Sequence, residues 1–111
     1  MIYSPFDIIK IPFPLTDKVK SKKRPALVLS HEVFQKETGH VALLMITSAK
    51  HSTWFGDYVL KNTEGTGLSQ AVIIRQKIFT LDLRLVEKCI GKLSKKDSDA
   101  ITVILKKSIS I

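Results

Sequence analysis

The residues best equipped for chemistry lie in a short basic stretch, positions 17–24, where Lys18, Lys20, Lys22, Lys23 and Arg24 face one acid, Asp17. Cations at that density attract phosphate oxygens, and neutralising phosphates releases counterions from a nucleic acid. Arg24 differs from the lysines beside it. Its planar fork donates two hydrogen bonds at once and keeps its charge at any ordinary pH. Standing just before Pro25 at the start of an apolar run, it suits either a surface ion pair or a phosphate contact. A lysine run likewise suits either a solvated loop or a polyanion site. Thr47 closes a second apolar run and, taken alone, is an ordinary β-branched strand residue. His31, His40 and His51 are scattered and read as polar surface groups, His51 lying four residues beyond Thr47. Trp54 and Phe55 come next and offer aromatic faces of the kind on which unpaired RNA bases stack, with burial or an interface role for Trp54 an equal alternative. Cys89 is the single cysteine, so it makes no internal disulfide and reads as a small packing residue. No Cys/His grouping has metal-ligand spacing, and neither a metal nor a cofactor is expected.

These side chains need a frame, and the apolar pattern predicts a mainly β one. Runs of strand length recur at 6–13, 26–29, 41–47, 58–60, 71–75 and 78–81, with turn residues between them. In the first, Ile9, Ile11 and Phe13 share one face by two-residue alternation, while Pro12 and Pro14 predict an early end or an edge. The run at 41–47 is the most apolar and is expected at the centre. A short polar stretch after Ser30 reads as a helical turn capped by that serine and ending at Gly39. The last segment changes period. Ser94 followed by Asp97 resembles a capping box, and Ile101, Ile104 and Leu105 fall on helical spacing, which predicts a helix over about 95–108.

Composition sets the class. With 111 residues, 44% hydrophobic and 25% charged, the chain is expected to form one globular domain over 1–111 and is neither disordered nor in need of staples. The N-terminal stretch contains Asp7, Lys10 and prolines, so no signal peptide is read, and no apolar run approaches a membrane span. The expected location is the cytoplasm, with no membrane partner. A net charge of +8 points to polyanionic partners, helped by a second basic group at Lys92, Lys95, Lys96, Lys106 and Lys107.

Taken in order, several segments carry a resemblance. They are Asp7-Ile8-Ile9-Lys10-Ile11-Pro12-Phe13-Pro14-Leu15-Thr16-Asp17, then Lys23-Arg24-Pro25-Ala26-Leu27-Val28-Leu29-Ser30, which is the most specific. Ile46-Thr47-Ser48, Gly67-Leu68, Ile78-Phe79-Thr80-Leu81-Asp82 and Ile90-Gly91-Lys92-Leu93-Ser94 follow. Each piece is weak alone, but the series resembles the MazF/PemK (Kid-like) family of toxin endoribonucleases over nearly the whole chain. The resemblance implies an SH3-like small barrel of curled antiparallel strands with a C-terminal helix. It implies the toxin component of a type II toxin–antitoxin system: a metal-independent, sequence-selective endoribonuclease that cuts single-stranded RNA (mRNA) through the ribose 2′-hydroxyl. Its implied partners are a second copy in a homodimer, a small acidic antitoxin, and operator DNA reached only through the antitoxin complex. The alternative is a non-catalytic barrel toxin, or a degenerate member that binds a protein target, antitoxin or DNA.

By the same resemblance, Arg24 stands at the family's catalytic arginine and Thr47 at the threonine or serine that completes the site. Counting back from Asp82 puts Gln76 where many members carry an acid, so Gln76 joins them as the third catalytic candidate. Lys18, Lys20, Lys22, Lys23, Ser48, His51, Trp54 and Arg75 are the RNA-binding candidates. In this chemistry the guanidinium stabilises charge building on phosphorus and the threonine adds one hydrogen bond. The base is the missing part, because an amide cannot accept the proton, and a glutamate at position 76 is expected to restore it. Proximity of the 2′-hydroxyl to phosphorus supplies part of the rate without one.

Overall fold

A strand with apolar residues on both faces must be covered on both, and the first strand of this chain is such a strand. The computed structural model describes residues 1–13, 22–48 and 53–111; the candidates Lys18, Lys20 and His51 lie outside them. Strand β1 (Asp7–Phe13) sends Ile8 to one side of the sheet and Ile9 and Ile11 to the other. Ile8 packs with Leu27 of β2 (Lys22–Val28), Leu44 and Ile46 of β3 (His40–Thr47) and Ile74 of β5 (Val72–Asp82), beneath Ile101 and Leu105 of helix α2 (Lys95–Ser108). Ile9 and Ile11 pack with Ala26, Val28, Val41, Leu43 and Leu81 on the opposite face, where Tyr3 and the 83–86 segment close over them. With β4 (Tyr58–Leu60) and β6 (Lys88–Lys92), the strands run in the order β4-β5-β3-β2-β1-β6, every pairing antiparallel. This curled, mainly β sheet with a C-terminal helix is the architecture that the apolar pattern predicts, with β3 inside it. Among the described residues no helix is long and apolar enough to cross a membrane.

The differences have local causes. Strand β2 begins at Lys22, well before the expected 26–29, because the backbones of Lys22, Lys23 and Arg24 pair with Phe13, Pro12 and Ile11 whatever their side chains prefer. Pro25 and Pro12 are tolerated where ladders stop: β3 pairs with β2 only from Ala26 onward, and β6 pairs with β1 only as far as Lys10. The expected strands 71–75 and 78–81 are one strand, β5, joined through a bulge. Leu44 faces Ile78 and Met45 faces Arg75, so Gln76 and Lys77 stand opposite no residue of β3. Strand β6 was not expected from its weak alternation. Gly91 is required in it, since a Cβ there would collide with the backbone of Thr66 in the turn docked against it. Cys89, expected to pack inside, is exposed on this outermost strand.

Helix α1 (Glu32–Thr38) is not capped by Ser30. Its N-cap is His31, which makes no side-chain capping bond, while the Ser30 hydroxyl accepts from the Ala42 amide at 3.0 Å. Gln35 of this helix is buried and exchanges two hydrogen bonds with the Tyr3 backbone, 2.8 and 2.7 Å, which ties the N-terminal segment down. Helix α2 spans the predicted residues. Ser94 caps it by accepting from the Asp97 amide at 3.2 Å, and the Asp97 carboxylate accepts from the Ser94 and Tyr58 hydroxyls, not from the Ser94 amide that a full capping box requires.

Candidate functional site

The ladder between β2 and β3 ends at Ala26 and Met45, yet both strands run on, to Lys22 and Thr47. Beyond that last rung Arg24 and Thr47 stand together, and both line two cavities there. One, of about 230 Å³, is walled by Ile11, Phe13, Met45 and Phe79. The other, of about 190 Å³, is walled by Ser48, Leu68, Ser69, Gln70 and Val72. The guanidinium lies over the Phe13 ring, 5.5 Å from its centroid, and among the described residues no carboxylate pairs with it. A cation held by a ring and left without a counter-ion keeps its fork available to an incoming anion.

The other candidates divide. Ser48 lines the polar cavity. Lys22 and Lys23 are exposed on the β2 extension leading to Arg24, and Lys23 makes a loose 3.7 Å pair with Glu87, a contact of little energetic weight at such exposure. Arg75 is committed elsewhere. Its Nε and Nη2 donate to the Asp57 carboxylate at 3.1 and 2.8 Å, and the Asp57 side chain is only 2% exposed. That bridge pushes the guanidinium pKa further up and occupies the Nε–Nη2 edge of the fork with Asp57. Trp54 lines neither cavity. Its indole N–H donates to the Gln76 carbonyl at 3.2 Å, and the Lys77 ammonium covers one ring face at 4.6 Å, while Phe55 beside it is well exposed. Among the described residues no three His, Cys, Asp or Glu side chains gather as metal ligands. Asp82 is held down at about 2 by hydrogen bonds from the Arg84 side chain and amide, so it is a weak base. Sequence reasoning passed over Phe13, Met45, Phe79, Ser69 and Gln70. The alternation that links Ile11 to Phe13 held a signal for the first; the loop residues Ser69 and Gln70 have no period to follow.

Comparison with known proteins decides the family. Residues 4–109 match the family described as PemK-like, MazF-like toxin of type II toxin-antitoxin system. The chain belongs to this family. Solved structures similar to this toxin include a MazE-MazF complex (Form-II) from Deinococcus radiodurans, with TM-score 0.76 and 18% identity over 100% of this chain and 98% of that one. The Mycobacterium tuberculosis toxin MazF-mt6 is similar at TM-score 0.72 and 18% identity, over 92% of this chain and 94% of that one. An endoribonuclease in complex with its cognate antitoxin from Mycobacterial species is similar at TM-score 0.72 and 12% identity, over 96% and 92%. At such identities the likeness is one of fold, and the fold is that of MazF. Among curated protein sequences none matches this chain.

Gln76 of the toxin is not brought to Arg24 and Thr47. It lines neither cavity and lies against Gly56, where an added Cβ would meet the Gln76 Cγ at 2.9 Å and the Ile104 side chain at 3.0 Å. Its amide nitrogen and oxygen are buried there without a hydrogen-bond partner. A glutamate at this position therefore offers no base to the cavities, contrary to the expectation from the spacing. Instead, Gln76→Met should raise stability by about 1 kcal/mol, by removing an unsatisfied amide without emptying the space. Gln76→Glu should lower it by about 2 kcal/mol or more at neutral pH. Burial raises the carboxyl's folded-state pKa above its unfolded value, so the folded form binds the proton more tightly. The deficit should thus be small in acid and grow as pH rises through the raised pKa. Thermal melts of both variants in acid and at neutral pH test this, and an unchanged Gln76→Glu melt at neutral pH would refute the burial argument.

Proposed function

We propose that this toxin is a metal-independent endoribonuclease that cuts single-stranded RNA through the ribose 2′-hydroxyl, with Arg24 and Thr47 at the reacting phosphate. The observation that carries the reading is the guanidinium of Arg24 standing beside Thr47 between two cavities, with no described carboxylate to neutralise it. Two parallel N–H bonds from the fork to the non-bridging oxygens favour the pentavalent, doubly charged transition state over the singly charged ground state. A hydroxyl donor from Thr47 adds to the same stabilisation. Held between two occupied cavities, the 2′-oxygen and phosphorus are fixed near attack geometry, which lowers the demand for a strong base. The exposed lysines of the β2 extension draw the polyanion to this point.

The acting form is a homodimer, neutralised by a small acidic antitoxin that competes for the same basic surface and carries the pair to operator DNA. The similar structures of MazE-MazF and of an endoribonuclease with its cognate antitoxin support this part. Purified protein incubated with a long RNA should generate new ends at recurring sequences, mapped by sequencing. Binding should weaken with salt: roughly four phosphate contacts to single-stranded RNA imply roughly a fiftyfold loss of affinity over a fourfold rise in salt. Tight binding without cutting would instead support a non-catalytic toxin on the same barrel. A monomer at micromolar concentration, or salt-indifferent binding, would overturn the dimeric basic groove.

A further inference from the structure

Resting on that reading, we infer that the two cavities are subsites for the nucleobases flanking the phosphate at Arg24, and that Gln70, with Ser69, reads the base on the polar side. Adjacent nucleosides of a strand leave their shared phosphate in opposite directions. A phosphate held at Arg24 and Thr47, which line both cavities, therefore delivers one base toward each. Both spaces, about 230 and 190 Å³, far exceed the roughly 10–15 Å³ that holds a single water.

Their walls differ in kind. In the larger, Phe13, Phe79, Ile11 and Met45 offer ring faces, aliphatic surface and a polarisable sulfur. Stacking and dispersion on such a wall accept any base, because every base has a π-face. In the smaller, Ser48, Ser69 and Gln70 bring two hydroxyls and a carboxamide, each able to donate and accept. Base edges of unpaired RNA are distinguished by such groups, because a wrong edge leaves a donor facing a donor or an acceptor facing an acceptor.

The chain's three glutamines make the contrast. Gln35 spends its amide on Tyr3, Gln76 lies against Gly56 with its amide buried, and Gln70 is exposed on a cavity wall with no bond to another described side chain or backbone group. The loop that carries Gln70 is held firmly. Thr66 is 1% exposed, and its hydroxyl donates to the Thr63 carbonyl and accepts from the Leu68 amide at 3.2 Å. The Gly65 carbonyl accepts from the Lys92 amide at 3.0 Å, and Gly67, at φ +78, passes against the Ile90 carbonyl where a Cβ would collide. Reading groups on an anchored loop lose little entropy on binding and discriminate better for it.

The test uses a panel of short single-stranded RNAs that together present every pair of adjacent nucleotides, so that the nucleotide on either side of any cut varies. Cleavage is measured as kcat/KM, and binding by anisotropy on the same panel with a 2′-O-methyl group blocking the cut. Gln70→Ala should reduce the preference at one flanking nucleotide by about tenfold while sparing the other. Gln70→Glu, which presents acceptors only, should change which base is favoured there. Unchanged preference in both variants, in cleavage and in binding, overturns the inference while leaving the nuclease intact. Preference seen and lost in binding alone, with no cutting by the wild type, upholds the subsite and overturns the nuclease reading. A wild-type protein that neither cuts nor binds the panel overturns both.

Discussion

Arg24→Ala should lower RNA cleavage by about a hundredfold or more, the usual cost of removing one preorganised donor aimed at developing charge. The fold should barely notice. Arg24 is exposed and has no described ion pair, and its visible contact is the Phe13 ring at 5.5 Å. An exposed cation–π contact contributes about 0.5–1 kcal/mol, so the melting curve should shift only slightly. Arg24→Lys should recover little of the rate. An ammonium restores the charge and the salt-dependent attraction, but not two parallel hydrogen bonds to one phosphate. The split is diagnostic: Arg24→Lys should bind RNA almost as wild type and cut it poorly, which locates the fork's contribution in the transition state. Initial rates on a synthetic RNA, with binding isotherms and melts of the same preparations, measure all three quantities. Undiminished cleavage by Arg24→Ala would remove the proposed centre.

Arg24 and Thr47 were legible as candidates because each sits inside a local string, Lys23-Arg24-Pro25 near the start of β2 and Ile46-Thr47-Ser48 at the end of β3. What brought them together was the register of β2 against β3, set by the apolar residues Leu27 and Leu44 behind them. Gln76 was misplaced by counting along the chain. Counting assumes a regular strand, and β5 breaks register at positions 76 and 77, where the Gln76 side chain lies against Gly56 instead. The Arg75–Asp57 bridge was hidden for a related reason, since Asp57 lies 18 residues away with no local pattern linking the two. The basic start of β2 looked like loop because its side chains are polar, whereas pairing with β1 depends on backbone groups alone. Periodicity reports which face a residue shows to the core. It is silent on exposed cavity walls such as Ser69 and Gln70, whose place is set by the fold alone.

The reaction itself makes the other large prediction. If the attacking group is the 2′-hydroxyl of the nucleotide on the 5′ side of the cut, replacing that one ribose with deoxyribose should abolish cleavage. Binding should persist, because phosphates and bases are unchanged and the lost hydroxyl is worth little to ground-state affinity. The products of the all-ribose strand should carry a 2′,3′-cyclic phosphate and a 5′-hydroxyl, separable by mass. Cleavage should also survive EDTA. A metal-dependent nuclease positions its ions with carboxylates, and the walls around Arg24 and Thr47 contribute hydroxyls, an amide and apolar groups, with no described Asp or Glu among them. In this chemistry the charge that a metal would neutralise falls to the guanidinium, so the deoxy substitution and Arg24→Ala should fail differently: the first removes the nucleophile at any pH, the second removes stabilisation and leaves a slow residual rate. Magnesium dependence, or equal cutting of the deoxy-substituted strand, would refute the mechanism while leaving the barrel and its family untouched.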